Sequence, residues 1–341
     1  MEEIDWRECS QAIIIISPWI ILSQITTDPL WLHAGMVGIS CYIAAKRAEL
    51  TLLGCVLHLL TLLVVYLLLF SLLHQPLLFS FTCGVFAACI IYLTQDNRPL
   101  RSAANFIFIP ALYLAWEQSE QLHSGIFGLE TGLMLIPYLL VGGVSTILLF
   151  IIILLTQTRG VTVTVSSLLI SRSLREQAKP QQSESMPFPG LLTIIAGVSV
   201  TFSSMLAEYL KLPHSQWIIW SALSIIIGDT VTCWHKFFQR GVGVFMGVPM
   251  GIIFSLFIPD TPLIQGGLAL GIMLSLVMFP RYLIGFSVRC TLISLSITLA
   301  SHNAEMAAER IINVFLGGSI ALIVMVFIRF LFFQWQLLRQ K

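Results

Sequence analysis

From His235 to Pro259 the chain reads HKFFQRGVGVFMGVPMGIIFSLFIP. Lys236 and Arg240 stand at its head, Gly243, Gly247 and Gly251 recur every four residues, and an uncharged run follows that is long enough to enter a bilayer. Four residues turn an α-helix by about 400°, so the three glycines form one shallow stripe along a single face. A neighbouring helix can press its backbone into such a stripe. In lipid, where burying apolar surface does not favour helix contact, close approach at small residues is a main source of association energy. The basic pair gives the helix a direction, because Lys and Arg concentrate on the cytoplasmic side.

The rest of the chain has the same character. Its 341 residues are 57% hydrophobic and only 10% charged, with a mean hydropathy of +0.91. A soluble domain carries about a quarter charged residues, so the expected class is an all-α integral membrane protein. A net charge of +1 makes no case for a nucleic-acid partner. The seven cysteines are odd in number, lack C-x-x-C spacing and fall mostly in apolar runs. They read as small buried hydrophobes, with no disulfide or metal framework. The start, MEEIDWREC, is acidic where a signal peptide needs basic residues, so the first apolar run is expected to stay as a membrane helix.

Twelve apolar runs follow, at Ala12–Thr26, Leu30–Ala45, Leu50–Leu73, Pro76–Thr94, Ala103–Trp116, Thr131–Leu155, Leu191–Leu210, Gln216–Cys233, Phe237–Ile258, Thr261–Phe279, Leu283–Ala300 and Ala307–Leu331. Six precede and six follow a polar, Pro-containing interruption with the sequence SRSLREQAKPQQSESMPFPG. The expected organisation is therefore a membrane half over residues 1–155, a cytoplasmic linker over 156–189 and a second half over 190–341. With the N-terminus inside, sixteen of the eighteen Lys and Arg lie on the cytoplasmic side and only Lys211 and Arg310 lie opposite, which predicts an N-in, C-in topology.

The halves resemble each other. GGVSTILLFI from Gly142 and Gly143 matches GGSIALIVMV from Gly317 and Gly318, QPLL at Gln75 answers TPLI at Thr261, Arg101 answers Arg289, Gly54 answers Gly243 and Trp31 answers Trp217. Six helices per half is an even number, so the copies enter from the same side. The predicted fold is two parallel six-helix repeats, and in such repeats a central interface is where transporter sites lie.

Arg240, Gly243 and Gly247 form R-x-x-G-x-x-x-G, preceded by WIIWSALSIIIGDTVTCWHKFFQ and followed by a short outer turn and a helix pair. This pattern resembles the fusaric acid resistance superfamily, which includes aromatic acid exporters and is similar to plant anion channels of the malate type. The resemblance is strongest over Trp217 to Phe327 and is diluted over Trp31 to Ile153. It implies an efflux transporter for aromatic or other weak organic acids in the inner membrane of a Gram-negative bacterium, with a periplasmic adaptor protein as partner. Many relatives carry a soluble cytosolic domain beside each six-helix unit, a place held here by the linker. In the first half His58 aligns with Gly247 and Leu62 with Gly251, so the glycine stripe is broken there and the halves are expected to have specialised.

Candidate substrate-binding residues are Arg101, Arg289, Lys236 and Arg240. Such cations attract carboxylates and hold them by charge-assisted hydrogen bonds, although cations at helix ends also serve as plain headgroup anchors. Candidates for proton coupling are Asp229, a carboxylate inside an apolar run, and His58, an imidazole near the middle of another; each can equally be a satisfied interior polar group. The glycines 243, 247, 251, 142, 143, 317 and 318 are assigned to helix packing. No Gly-x-x-x-x-Gly-Lys loop, H-E-x-x-H or G-x-S-x-G occurs, so neither an enzyme nor a cofactor is expected. The chain is expected to be a homo-oligomer and proton-driven. A passive organic-anion channel of the same fold and a non-transporting scaffold subunit are the alternatives.

Overall fold

A computed structural model describes residues 6–94, 97–120, 129–157, 189–212, 214–226 and 230–339. Most of the expected linker and Asp229 lie outside these residues. The described residues form twelve α-helices and no strand. In chain order they are α1 (Trp6–Thr26), α2 (Leu30–Arg47), α3 (Leu52–Leu72), α4 (Pro76–Leu93), α5 (Arg98–Glu120), α6 (Leu129–Gln157), α7 (Pro189–Tyr209), α8 (Gln216–Ile225), α9 (Thr230–Ser255), α10 (Pro262–Leu274), α11 (Tyr282–Ser301) and α12 (Ala304–Arg339).

Eight of them are long and apolar enough to cross a membrane: α1, α3, α4, α6, α7, α9, α11 and α12. A helix satisfies its own backbone polar groups, which is why a chain that enters hydrocarbon takes this form. On α3 the outward face carries Leu53, Leu57, Leu60, Val64 and Leu68, a helical stripe that is apolar yet exposed, as a lipid-facing surface must be. The chain is a helical, multi-pass membrane protein. α8 has 10 residues and α10 has 13, which at about 1.5 Å per residue is short of a roughly 30 Å hydrocarbon core. The 36 residues of α12 extend well beyond one, and its last turns end in Trp335 with Arg339 stacked on it at 4.1 Å.

Several boundaries differ from the hydropathy pattern. The run expected over Gln216–Cys233 ends as a helix at Ile225, and Thr230–Cys233 belong to α9. Hydropathy marks where side chains are apolar, whereas a helix is defined by its hydrogen bonds and runs on through Trp234, His235 and Lys236.

The helices form two compact units that do not follow chain order. The first comprises residues 1–71, 97–183 and 260–280, and the second 72–96, 184–259 and 281–341. The fourth helix, α4, is therefore in the second unit and the tenth, α10, in the first.

In the first unit α2 is central, with α1, α5 and α6 packed on it and α10 against α1. Its core joins Ala12, Ile15 and Ile16 of α1 to Ile39, Tyr42 and Ile43 of α2. At one end Arg47 donates to Ser102 Oγ and to the Leu276 carbonyl, both at 3.2 Å, tying the end of α2 to the start of α5 and to the segment after α10.

In the second unit α9 lies along α11, α4 along α7, and α12 against α7, α8, α9 and α11. The core there is Val244 and Val248 of α9 with Phe286 and Cys290 of α11 and Val314 of α12. Thr261 caps α10 by accepting from the Ile264 amide, followed by Pro262 at the first helical position, where its missing N–H costs nothing.

Candidate anion site

The glycines set how closely the helices approach. A Cβ built on Gly247 would stand 2.5 Å from the Ser287 carbonyl oxygen and 2.7 Å from Cys290 Cβ, and one on Gly251 would meet the Thr291 carbonyl. Gly243 lies under the Phe286 ring, beside Ser287. The α9 backbone thus rests directly on α11, bringing Arg240 close to the residues of α11. In the first unit Gly142 faces the Ala34 carbonyl of α2 and Gly143 the Leu59 side chain of α3. In the second, Gly317 faces the Ile218 carbonyl of α8, and Gly318 faces Ile225 and the Phe237 ring of α9.

Because α9 begins at Thr230, Arg240 lies inside the helix and not at its mouth, and it is only 4% exposed. Nη1 donates to Tyr282 Oη and Nη2 to Ser221 Oγ, both at 2.9 Å, while the guanidinium lies 4.5 Å from the centre of the Phe286 ring. Its Nε is buried without a partner among the described residues. Lys236, one turn earlier, sits over the Tyr282 ring at 2.9 Å.

Arg310, at the start of the last apolar run, counts in the charge tally on the side opposite the cytoplasm. It is 2% exposed, on the inward face of α12, with its guanidinium 4.6 Å from the centre of the Trp217 ring. Nε and Nη1 have no hydrogen-bond partner among the described residues, and no described carboxylate pairs with Arg310 or Arg240. The signal that could have found it is spacing. Arg310, Asn313, Val314 and Gly317 fall at i, i+3, i+4 and i+7, one helical face, and Gly317 is the glycine of the internal repeat.

Arg289 of α11 lies within Coulombic reach of both Arg240 and Arg310. The second unit thus carries three arginines on three helices, with Arg289 feeling the charge of each of the other two. Their charges repel, and burial removes the water that would screen them, so the arrangement favours an anion among them. Trp217, Tyr282 and Phe286 cover guanidinium or ammonium faces, which leaves N–H edges to bind an oxyanion.

The other expected residues are placed as follows. Arg101 is buried in the first turn of α5, in the first unit, while Arg289 belongs to the second, so the two do not share a unit. His58 is buried on α3 and its Nε2 has no partner among the described residues. Asp229 lies outside the described residues. His33 and Glu117 carry no site role in the sequence pattern, where Glu117 counts only among the acids opposite the cytoplasm. Their side chains lie 3.4 Å apart, Nε2 to Oε2, between α2 and α5, and nothing in their local patterns marks the contact.

Residues 200–324, which include all three arginines, match the model of a family described as fusaric acid resistance protein-like. Over that segment the chain is similar to fusaric acid resistance proteins. The match spans α8 to α11, the last ten residues of α7 and the part of α12 that holds Arg310, Gly317 and Gly318. The resemblance carried by Arg240, Gly243 and Gly247 is therefore met by a match across the helices that build the site. Together with the helical membrane architecture, this match supports a protein of transporter type. No curated protein and no solved structure matches the chain.

Proposed function

We propose that the protein exports weak organic acids, aromatic ones among them, across the inner membrane of a bacterium, with proton entry as the driving step. Arg310 is the main support. A buried guanidinium with two unpartnered nitrogens and no described counterion is costly to keep unless an anion visits it. Arg240 and Arg289 supply the neighbouring charges, and Lys236 belongs to the same surroundings through Tyr282. Arg101 is assigned a parallel role in the first unit, and Asp229 and His58 are kept as further protonatable positions.

The twelve helices are taken as two parallel six-helix copies, over 1–155 and 190–341, that exchange their fourth members. The support is internal to each unit. Gly142 and Gly317 each meet a carbonyl of the second helix of their own half, Gly143 and Gly318 each meet the third, and α10 packs on α1 as α4 packs on α7. An N-in orientation is favoured by Lys46 and Arg47 at the end of α2 and Arg281 before α11, against Asp28, Asp260 and Glu305 at the opposite turns. Arg240, Arg289 and Arg310 are interior and carry no weight in that tally. A homo-oligomer and a periplasmic adaptor complete the proposed assembly.

The test is accumulation of labelled benzoate by cells making the wild type or Arg310→Met at equal membrane abundance. Wild type should lower accumulation, and the variant should not. Equal lowering by both would remove Arg310 from the mechanism.

A further inference from the structure

α2 and α5 pack together in the first unit, and across their contact His33 Nε2 lies 3.4 Å from Glu117 Oε2. The His33 side chain is 6% exposed and that of Glu117 is 33% exposed. The other imidazole nitrogen, Nδ1, is buried without a partner among the described residues. The partly exposed Glu117 carboxylate beside the buried imidazole offers a route from water to it. His58 differs in having no such neighbour, since its Nε2 has no partner among the described residues.

We propose that His33 and Glu117 bind the proton that is exchanged for the exported acid. A proton from the outer water reaches Glu117, is held between carboxylate and imidazole, and leaves to the inner side as an anion moves outward. No covalent bond other than that to the proton forms or breaks. Each cycle that moves one proton in and one monovalent anion out carries two positive charges inward, so an inside-negative potential drives it in the export direction. This inference rests on the exporter proposed above and on its N-in orientation, which puts the start of α2 and the end of α5 at the outer face.

The charged surroundings of the pair are sparse. At the same end of the unit Tyr138 of α6 donates to Asp28 Oδ2 at 2.8 Å and packs edge-on against Trp31 at 4.8 Å, while Glu130 stands in the first turn of α6. α10 contains no titratable residue, and the Arg7, Glu8 and Cys9 turn of α1 lies at the far end of α2, where Tyr42 donates to the Glu8 carbonyl. On α5 itself Arg98 and Arg101 are in the opposite terminal turn. Asp28, Glu130, Glu120 at the end of α5, and Asp260 before α10, whose Gly266 meets Gln24 near the end of α1, are thus the acids of the described residues that share this end with His33 and Glu117.

The test uses purified full-length protein in liposomes of neutral and anionic phospholipid, with an entrapped pH dye and labelled benzoate or phthalate, read against protein-free vesicles. Wild type should move protons in step with the acid, and an acid exterior should accelerate acid movement. In His33→Gln and in Glu117→Gln that acceleration and the protein-dependent proton movement should be lost, and Glu117→Asp, which keeps a carboxylate, should restore them. Proton movement in the Gln variants equal to wild type would overturn the assignment of the pair while leaving the exporter in place. Wild-type liposomes that move neither acid would overturn the exporter and the pair together. If either Gln variant fails to fold, failure of Glu117→Asp to retain proton movement in folded protein would overturn the inference.

Discussion

Replacing Arg310 with Met separates an arginine kept for a ligand from one kept for the fold. Arg310 is 2% exposed and two of its nitrogens are unpartnered. A buried donor left unmade costs about 1–3 kcal/mol, so the pair of them destabilises the empty protein by about 2–6 kcal/mol. Methionine has similar reach without polar atoms, and its introduction forfeits the stacking on Trp217, worth about 0.5–2 kcal/mol. Without ligand the variant should therefore be as stable as wild type, or more stable by up to about 5 kcal/mol, in the way that apolar replacement of unsatisfied buried charge stabilises. Binding should move the other way. Two charge-assisted hydrogen bonds at about 1.5–3 kcal/mol each correspond to a Kd weakened roughly a hundredfold or more. Denaturant unfolding in mixed micelles measures the first quantity and calorimetric titration with benzoate the second. A variant that is several kcal/mol less stable yet binds benzoate as wild type does would refute the argument, because Arg310 would then be a structural residue.

Gly247→Ala should cost about 1–3 kcal/mol, since its methyl would meet the Ser287 carbonyl and α9 and α11 would have to separate. Gly267→Ala, at a helical site with nothing within 4 Å, should instead gain about 0.5–1 kcal/mol, and equal melting temperatures for the two would contradict the packing. His302 closes α11 in the left-handed region at φ 52°, so His302→Gly should raise stability by about 1 kcal/mol in the same micelle assay. In cysteine-free protein, Lys211→Cys and Glu49→Cys, both at exposed turns, should react with an impermeant maleimide from opposite sides of the membrane, and labelling from one side would break the proposed topology.

Much of the helical layout is legible in the sequence because hydrocarbon permits few alternatives: an uncharged run becomes a helix, and the twelve apolar runs overlap the twelve helices of the described residues. The position of Arg240 is harder to read. Lys236 and Arg240 head an uncharged run, which suggests a membrane boundary, but helical hydrogen bonding starts at Thr230 and carries both residues inside. Arg310 suffers the same error in reverse. It follows an acid-rich, polar turn, and only its phase relative to Gly317 shows that it points inward. That α4 belongs to the second unit and α10 to the first leaves no trace in either helix, since which neighbour a lipid-soluble helix chooses depends on packing that its own sequence does not record. The His33 and Glu117 pair is invisible for a related reason: the partners are far apart in sequence and meet only through the packing of α2 on α5.

The most direct measurement is an experimental structure of the full-length protein with 4-iodobenzoate, whose iodine locates the ligand independently of the fit. The account predicts the carboxylate within hydrogen-bonding distance of Arg310 and Arg240 in wild type, with that density lost in Arg310→Met. Iodobenzoate bound elsewhere, or a carboxylate of the protein itself seated on Arg310, would contradict it.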